Sequence, residues 1–127
     1  MNAPHDLHPR IERRAVPPAM LDALRARFGE RCSTSAAVRD QHGRGESVYD
    51  AAPPEAVVFC ESTDDVVFVV KQAAANGVPV IPYGVGSSLE GHLLAVQGGI
   101  SIDLSRMNRV LRVNAEDLTA TVEAGVT

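Results

Sequence analysis

The sequence predicts an α+β fold in which a strand–helix–strand (βαβ) unit is followed by a strand-rich meander. Between residues 56 and 82, an apolar run, an amphipathic segment and a second apolar run follow one another, as in a βαβ unit. After residue 100, apolar residues alternate with polar ones at period two, which is typical of strands. A βαβ unit followed by a meander favours the α+β class.

The first 34 residues are predicted to form a loose arm and one helix. Residues 1–17 mix Pro, His and Arg without periodicity, as terminal arms do. Pro17 and Pro18 set the start of the helix, and Gly29 supplies its end. The apolar face of this helix consists of Met20, Leu21, Leu24 and Phe28. Residues 32–54 are polar and interrupted by Gly and Pro, so we expect a long surface excursion there.

The βαβ unit begins with a buried strand over Ala56–Cys60. Ser62 is predicted to cap the following helix, whose first turn carries Asp64 and Asp65. The helix ends at Asn76-Gly77, where both residue types tolerate a left-handed conformation. Its broad apolar face consists of Val66, Val67, Val69, Val70 and Ala73.

A second strand, over Val78–Pro82, is expected to pair in parallel with the first strand through a right-handed crossover. Its two prolines, Pro79 and Pro82, indicate that it is short or lies near a sheet edge. Strands near residues 100–104, 110–113 and 119–123, separated by turns, then form the meander.

The composition argues against several classes of protein. With 12 basic and 16 acidic side chains and only one lysine, Lys71, the chain lacks the clustered positive charge that nucleic-acid binding requires. No apolar run approaches the roughly 18 residues of a membrane span. We therefore expect a cytoplasmic protein, with peripheral attachment to a membrane as the alternative. The spacing of Cys32 and Cys60 fits neither a disulfide framework nor a zinc site. We expect both cysteines to be reduced and Cys60 to be buried. His5 and His8 have an offset that a metal could use, but we expect them to face solvent.

The chain stops at Thr127, directly after an alternating strand pattern and without a polar tail. We interpret it as the front part of a longer protein, with a complete small domain as the alternative. A shortened sheet exposes unpaired N–H and C=O groups, through which such a chain would self-associate.

The segment most informative about function is the glycine-rich loop at residues 82–91, which follows a strand end. Ligands bind at this place in open α/β sheets. Glycines let the backbone approach a ligand closely, and consecutive N–H groups in such a turn form a concavity for anionic oxygens. Ser87 and Ser88 add hydroxyl donors, while no Lys or Arg occurs between Gly77 and Ser105. This combination suits a tightly enclosed pyrophosphate held by backbone and hydroxyl groups.

Two other phosphate-binding motifs do not fit the spacing. A Walker A loop requires a Gly-Lys pair, and this loop has no lysine. A Rossmann fingerprint requires glycine three residues beyond Gly86, where Leu89 stands. It also requires a helix before the ribose-binding acid, and the glycines that precede Asp103 leave too little chain for one. A glycine-rich turn without a ligand stays open as an alternative.

The segment Val78–Gly91 resembles the pyrophosphate loop of the flavoenzymes related to vanillyl-alcohol oxidase and p-cresol methylhydroxylase (PCMH). Within that family it is most similar to the branch of D-lactate dehydrogenase and glycolate oxidase. The supporting matches elsewhere are Gln41-His42-Gly43-Arg44, Glu46-Ser47, Pro54-Glu55-Ala56-Val57-Val58, Ala95-Val96-Gln97-Gly98-Gly99, Asp103-Leu104 with Met107, and Glu123-Ala124-Gly125-Val126-Thr127. The resemblance assigns residues 35–127 to the first part of a PCMH-type FAD-binding domain.

The resemblance implies FAD that is bound non-covalently. Relatives that tether the flavin covalently often place histidine in this loop, and the comparable position here is Gly86. The cofactor contacts that it implies are Pro82, Tyr83, Gly84, Val85, Gly86, Ser87, Ser88, Gly91, Gly125, Val126 and Thr127, of which residues 84–88 hold the pyrophosphate.

The resemblance also implies that the intact protein oxidises a 2-hydroxy acid such as D-lactate or glycolate. In that chemistry the flavin takes a hydride from the α-carbon and passes electrons to an acceptor, which the sequence does not identify. No catalytic residue is expected in these 127 residues, so the chain alone is expected to lack turnover. The alternatives are a non-catalytic nucleotide- or anion-binding module and a self-associating remnant.

Several residues near the loop depart from the family pattern or allow two interpretations. His92 and Gly45 stand where relatives usually carry glycine and aspartate. We interpret His92 as an ordinary polar loop residue rather than a site of flavin attachment or catalysis. For His42 and Arg44, an exposed loop is favoured over a carboxylate-binding edge. For Tyr83, simple packing is favoured over contact with the flavin.

Overall fold

The computed structural model describes residues 11–127, and His5 and His8, with the first part of the predicted arm, lie outside the described residues. Helix α1 spans Pro18–Phe28 and ends at Gly29, as predicted. Its residues Met20, Leu24 and Phe28 are buried in one core cluster with residues of the sheet. The division of the chain between residues 34 and 35 stays a prediction.

Within residues 11–127, the main sheet has four strands. They are β1 (Cys32–Ser33), β2 (Ala56–Phe59), β3 (Val80–Tyr83) and β4 (Ile100–Asp103), in the spatial order β1-β2-β4-β3. Strands β2, β3 and β4 run parallel, and β1 is antiparallel to β2. The predicted α+β class is confirmed, and so is the position of β3 at a sheet edge.

The expected direct pairing of the two strands of the βαβ unit is wrong, because β4 lies between them and pairs with both. All four residues of β4 are buried. Ile100 and Ile102 join the helix-side core, whereas Ser101 and Asp103, which alternate with them, point to the other face of the sheet. The proline in β3, Pro82, has no N–H to donate, which suits an edge rather than the centre.

Helix α3 spans Thr63–Asn76 and connects β2 to β3. The Ser62 side chain caps it, as predicted, by accepting a hydrogen bond from the Asp65 N–H at 3.2 Å. Gly77 closes it with a φ of 62°, in the left-handed region. The apolar face is only partly covered, because Val67 and Val70 are exposed.

The prediction of an irregular excursion over residues 32–54 is wrong in its first part. This part contains β1 and a short helix, α2, at Ala36–His42. A helix of seven residues is not stable from local propensity alone, so tertiary contacts have to hold it. Arg39 supplies one of them, because its Nε donates to the Pro54 carbonyl oxygen at 2.6 Å.

The end of the chain forms a hairpin of β5 (Val110–Asn114) and β6 (Thr119–Val122), which pair in antiparallel fashion. The predicted meander is confirmed for its last two strands, which form a separate sheet, and is wrong for the strand near residues 100–104, which is β4 of the main sheet. An ion pair between Arg109 and Glu123, at 2.6 Å, lies at the base of the hairpin.

In the described residues, no helix combines the length and the apolar character that crossing a bilayer requires. The cellular location stays a prediction.

Replacing Ser62 with Ala is expected to lower the free energy of unfolding by about 1 kcal/mol, because the Asp65 N–H loses its capping acceptor. Ser35→Ala is the matched control. Ser35 holds the same position before α2, but its side chain makes no capping hydrogen bond. We expect this control to change the free energy by less than about 0.5 kcal/mol. Urea unfolding curves measure both, and equal losses in the two variants would contradict the assignment of the cap.

Candidate functional site

The carboxyl ends of the three parallel strands meet at one edge of the sheet. Phe59, Asp103 and Tyr83 are paired across this edge and are the last residues of β2, β4 and β3. Ligands bind beyond this edge in open α/β sheets. The glycine-rich loop begins directly after Tyr83, so the fold puts the loop where a ligand is expected.

A buried histidine covers this row of residues. His42 is 2% exposed, and its Nε2 lies 2.8 Å from Oδ2 of Asp103. Its Nδ1 lies 2.8 Å from the Val38 carbonyl oxygen, which can only accept, so Nδ1 carries a proton. A further proton has to lie between Nε2 and the carboxylate. The ring packs against Tyr83 at 4.1 Å between centroids and edge-on to Phe59 at 5.7 Å.

Asp103 is fully engaged by protein groups. Its Oδ1 accepts from the Ser105 N–H at 2.8 Å and from the Ser105 hydroxyl at 2.5 Å. Burial by itself raises the pKa of Asp103, but the hydrogen bonds from His42 and Ser105 outweigh it and hold the pKa below its usual value. Asp103 is therefore a structural carboxylate that ties the end of β4 to α2.

The expected exposed position of His42 is wrong, whereas Arg44 is exposed. His42 has no sequence neighbour that reveals its burial, because its partner Asp103 is 61 residues away. Tyr83 packs in the interior, as predicted, and is 9% exposed. No local sequence pattern connects His42, Asp103 and Tyr83, so their cluster could not be predicted from the sequence.

The loop encloses a cavity of about 210 Å³, which we call the loop cavity. It is lined by Pro82, Tyr83, Gly84, Val85, Gly86, Ser87, Ser88, His92 and Leu93. Sites for drug-sized ligands are typically about 300–1,000 Å³, so this cavity suits part of a dinucleotide rather than all of it. Seven of the predicted cofactor contacts, residues 82–88, are brought together here.

Consecutive backbone donors face no protein acceptor in the loop. Within residues 11–127, the N–H groups of residues 84–88 donate to no protein oxygen. Gly86 has a φ of +75°, and a Cβ built on it would overlap the Tyr83 hydroxyl. At Gly84 the same Cβ would meet nothing within 4 Å. An array of free N–H groups in a turn with a left-handed residue is suited to anionic oxygens, so the loop fits a pyrophosphate.

The remaining predicted contacts lie elsewhere. Gly91 lines a second cavity of about 420 Å³, beside Tyr49 and Leu94 and the carboxylates of Asp50 and Glu90. Gly125 donates its N–H to the Met107 carbonyl oxygen at 2.8 Å, and a Cβ on it would overlap the carbonyl oxygen of Leu104. Neither cavity is lined by Gly125, Val126 or Thr127.

His92 lies at the rim of the loop cavity. Its Nδ1 is 2.6 Å from the Ser88 hydroxyl oxygen, and its side chain is exposed. Gly45 is close to the same region, since a Cβ built on it would lie 3.5 Å from the Ser88 carbonyl oxygen and from Leu93. The pair His92–Ser88 thus adds a titratable group to a cavity whose other lining residues are uncharged.

Neither of the two cysteines lines the loop cavity. Cys32 and Cys60 are buried, and burial is the main reason that the pKa of Cys60 rises to about 12. Such a thiol is a poor nucleophile. In the described part of the chain, no three His, Cys, Asp or Glu residues cluster as metal ligands would.

The part of the chain that carries the loop matches a known family. Residues 54–127 match the family model described as FAD binding domain. A probable mitochondrial D-lactate dehydrogenase of Danio rerio is 44% identical over 98 residues, which cover 77% of this chain and 20% of that protein. Glycolate oxidase subunit GlcD of Bacillus subtilis is 35% identical over 89 residues, which cover 66% of this chain and 19% of that protein. The chain spans about a fifth of the length of these relatives.

A solved structure shares the fold. The crystal structure of p-cresol methylhydroxylase with substrate bound superimposes with a TM-score of 0.71, over 91% of this chain and 24% of that chain. The sequence identity is 22%, so this likeness concerns the fold alone.

Asp103→Asn keeps the shape of the side chain but removes its charge. We expect a loss of about 3 kcal/mol in the free energy of unfolding near neutral pH, because the partner of a buried pair is left uncompensated. Since the folded-state pKa of Asp103 is lowered, its stabilisation is present above about pH 4 and is lost as the pH falls below that value. The wild type should therefore lose more stability in acid than the variant does.

Asp40→Asn, on the exposed surface of α2, is the matched control and should change the free energy by less than about 0.5 kcal/mol. Urea unfolding at several pH values measures all three proteins. A variant at Asp103 with unchanged stability would contradict the structural role of this carboxylate.

Proposed function

Because the chain belongs to the FAD binding domain family, we propose that the loop at residues 82–88 holds the pyrophosphate of FAD in an oxidoreductase. The resemblance to the D-lactate dehydrogenase and glycolate oxidase branch is confirmed. FAD is the cofactor of this family. The roles of individual residues, and the activity of the whole protein, are the proposal.

The single observation that carries the proposal is the row of free backbone donors in residues 84–88. A pyrophosphate brings several anionic oxygens, each able to accept such an N–H. Hydrogen bonds to a charged group are each worth about 1.5–3 kcal/mol, so several of them together favour the binding of an anion here. Ser87 and Ser88 supply hydroxyl donors at the same place.

We propose that FAD is held without a covalent bond. Gly86, at the position where covalent relatives often place histidine, has no side chain to attach. Gly91 and residues 125–127 are proposed to contact other parts of the cofactor. Gly125 packs against the backbone of Leu104, whose N–H donates to the Tyr83 carbonyl oxygen at 2.9 Å. This segment is thus linked to the edge of the sheet where the loop begins.

We propose a 2-hydroxy acid as the substrate of the intact protein. Support comes from the names of two relatives, a D-lactate dehydrogenase and a glycolate oxidase subunit. In the proposal, the flavin accepts a hydride from the α-carbon, and the catalytic side chains belong to regions of the relatives that this chain does not span. The chain alone then binds the cofactor but does not turn over D-lactate or glycolate.

Self-association is a second candidate function, and the hairpin favours it. Apolar side chains on this hairpin are exposed, namely Val110, Leu111, Val113, Leu118 and Val122. A two-stranded hairpin is marginally stable in water by itself, so it gains from being covered. A second copy of this chain, paired along an open edge of the hairpin, would supply that cover.

Titration of FAD into the purified chain, followed by quenching of flavin fluorescence, tests the proposed loop. We expect saturable binding that an excess of inorganic pyrophosphate weakens, and acid precipitation should release the flavin. Gly86→Val should weaken binding by about a hundredfold, because its side chain would overlap Tyr83 and keep the backbone from the ligand.

Gly77→Val is the matched control. Gly77 also has a positive φ, of +62°, but a Cβ there meets nothing within 4 Å. It follows the carboxyl end of α3 and does not line the loop cavity. Both variants carry a similar backbone penalty of about 1–2 kcal/mol, and the overlap with Tyr83 adds to it in Gly86→Val alone, so urea unfolding has to show that both variants remain folded. Only Gly86→Val should lose affinity for FAD, and unchanged affinity in that variant would remove the loop from the site.

A further inference from the structure

We propose that His92, acting with Ser88, is an additional anion-binding group of the loop cavity, and that protonation of its imidazole strengthens the binding of an organic pyrophosphate such as FAD. This inference rests on the proposed function of the loop. It adds a dependence of cofactor binding on pH that is assigned to one residue of this chain.

The lack of positive charge in the loop cavity favours this role of His92. The pyrophosphate of a dinucleotide carries two negative charges, whereas no Lys or Arg occurs between Gly77 and Ser105. Of the residues that line the loop cavity in the described structure, His92 is the one that can become a cation. Histidine side chains ordinarily take up a proton between about pH 8 and pH 5. Protonation of this one side chain would give the loop cavity a positive charge.

The geometry of the His92–Ser88 pair also favours this role. The Ser88 oxygen lies 2.6 Å from Nδ1 of His92, so one proton is shared along this contact. With a neutral ring, the Ser88 hydroxyl can donate to Nδ1, and it is then not free for the ligand. With a protonated ring, Nδ1–H has to donate to the Ser88 oxygen, which frees the hydroxyl proton for an anionic oxygen. Protonation therefore adds a positive charge and releases a second donor.

The charged side chains near His92 are exposed to solvent. The charged side chains on the segments beside it are Glu90 in its own loop, Arg44 and Glu46 next to Gly45, and Asp50 next to Tyr49. All four are exposed, so water and salt screen their effect on the ring. The buried pair of His42 and Asp103 is satisfied by its own hydrogen bonds below Tyr83.

The test is the dissociation constant of FAD between about pH 5.5 and pH 8, read from flavin fluorescence. The pyrophosphate of FAD stays fully ionised over this range, so a change in affinity reports on the protein. Wild-type affinity should rise by about two- to fivefold on acidification, as expected for one exposed charge pair. His92→Gln should bind weakly at every pH. His92→Lys should bind at every pH about as tightly as the protonated wild type.

Two further variants test whether the pH dependence of binding comes from His92 and Ser88 or from other histidines. Ser88→Ala should bind FAD more weakly and show a smaller dependence on pH, because it lacks the hydroxyl donor that protonation of His92 frees. The double variant His5→Gln/His8→Gln is the control, and it should keep the full pH dependence. Nitrogen NMR of the His92 ring gives a second readout, since inorganic pyrophosphate at about pH 7 should shift the ring toward its protonated form.

The outcomes distinguish the two proposals. Wild-type affinity that does not change with pH, or a pH dependence that survives in His92→Gln, would overturn the role of His92 while leaving the loop as the FAD site. Both proposals would be overturned if a folded wild-type chain bound FAD at no pH and the nitrogen NMR signals of its His92 ring did not shift on addition of pyrophosphate.

Discussion

The hydrogen bond between His42 and Asp103 is the contact on which the functional end of this structure depends. It joins residues 61 positions apart and fixes a seven-residue helix, too short to be stable alone, to the central strand of the sheet. Buried pairs of this kind add little net stability compared with apolar packing, but they penalise arrangements that leave either partner unpaired. The pair therefore defines one arrangement of α2, β4 and the Tyr83 ring.

This arrangement extends to the loop through direct contacts. The imidazole of His42 packs on Tyr83, and the Tyr83 hydroxyl occupies the space that a side chain at position 86 would need. The turn at Gly86 is thus supported from below by a ring whose own position is set by Asp103. Such support favours binding, because backbone donors that are already held in place lose less conformational entropy when an anion binds.

Local patterns in the sequence predicted the elements whose causes are local. The first helix between Pro17 and Gly29, the Ser62 cap and the glycine-rich loop were all predicted at the positions where the structure has them. The central place of β4 was missed, because its alternating residues look like those of a meander strand and their burial depends on distant neighbours. Helix α2 and His42 were missed for the same reason. The loop could therefore be predicted from sequence, whereas the cluster beneath it could not.

The proposed anion site consists of main-chain amides, which has a consequence for sequence divergence. Every residue type except proline offers the same N–H, so Val85, which is exposed, can be exchanged over evolutionary time without removing a donor. The constraint falls instead on Gly86, where the turn and the Tyr83 ring exclude a side chain. Within such a loop, drift at the exposed positions is nearly neutral, and new ligand preferences can arise there while the cradle for the anion persists.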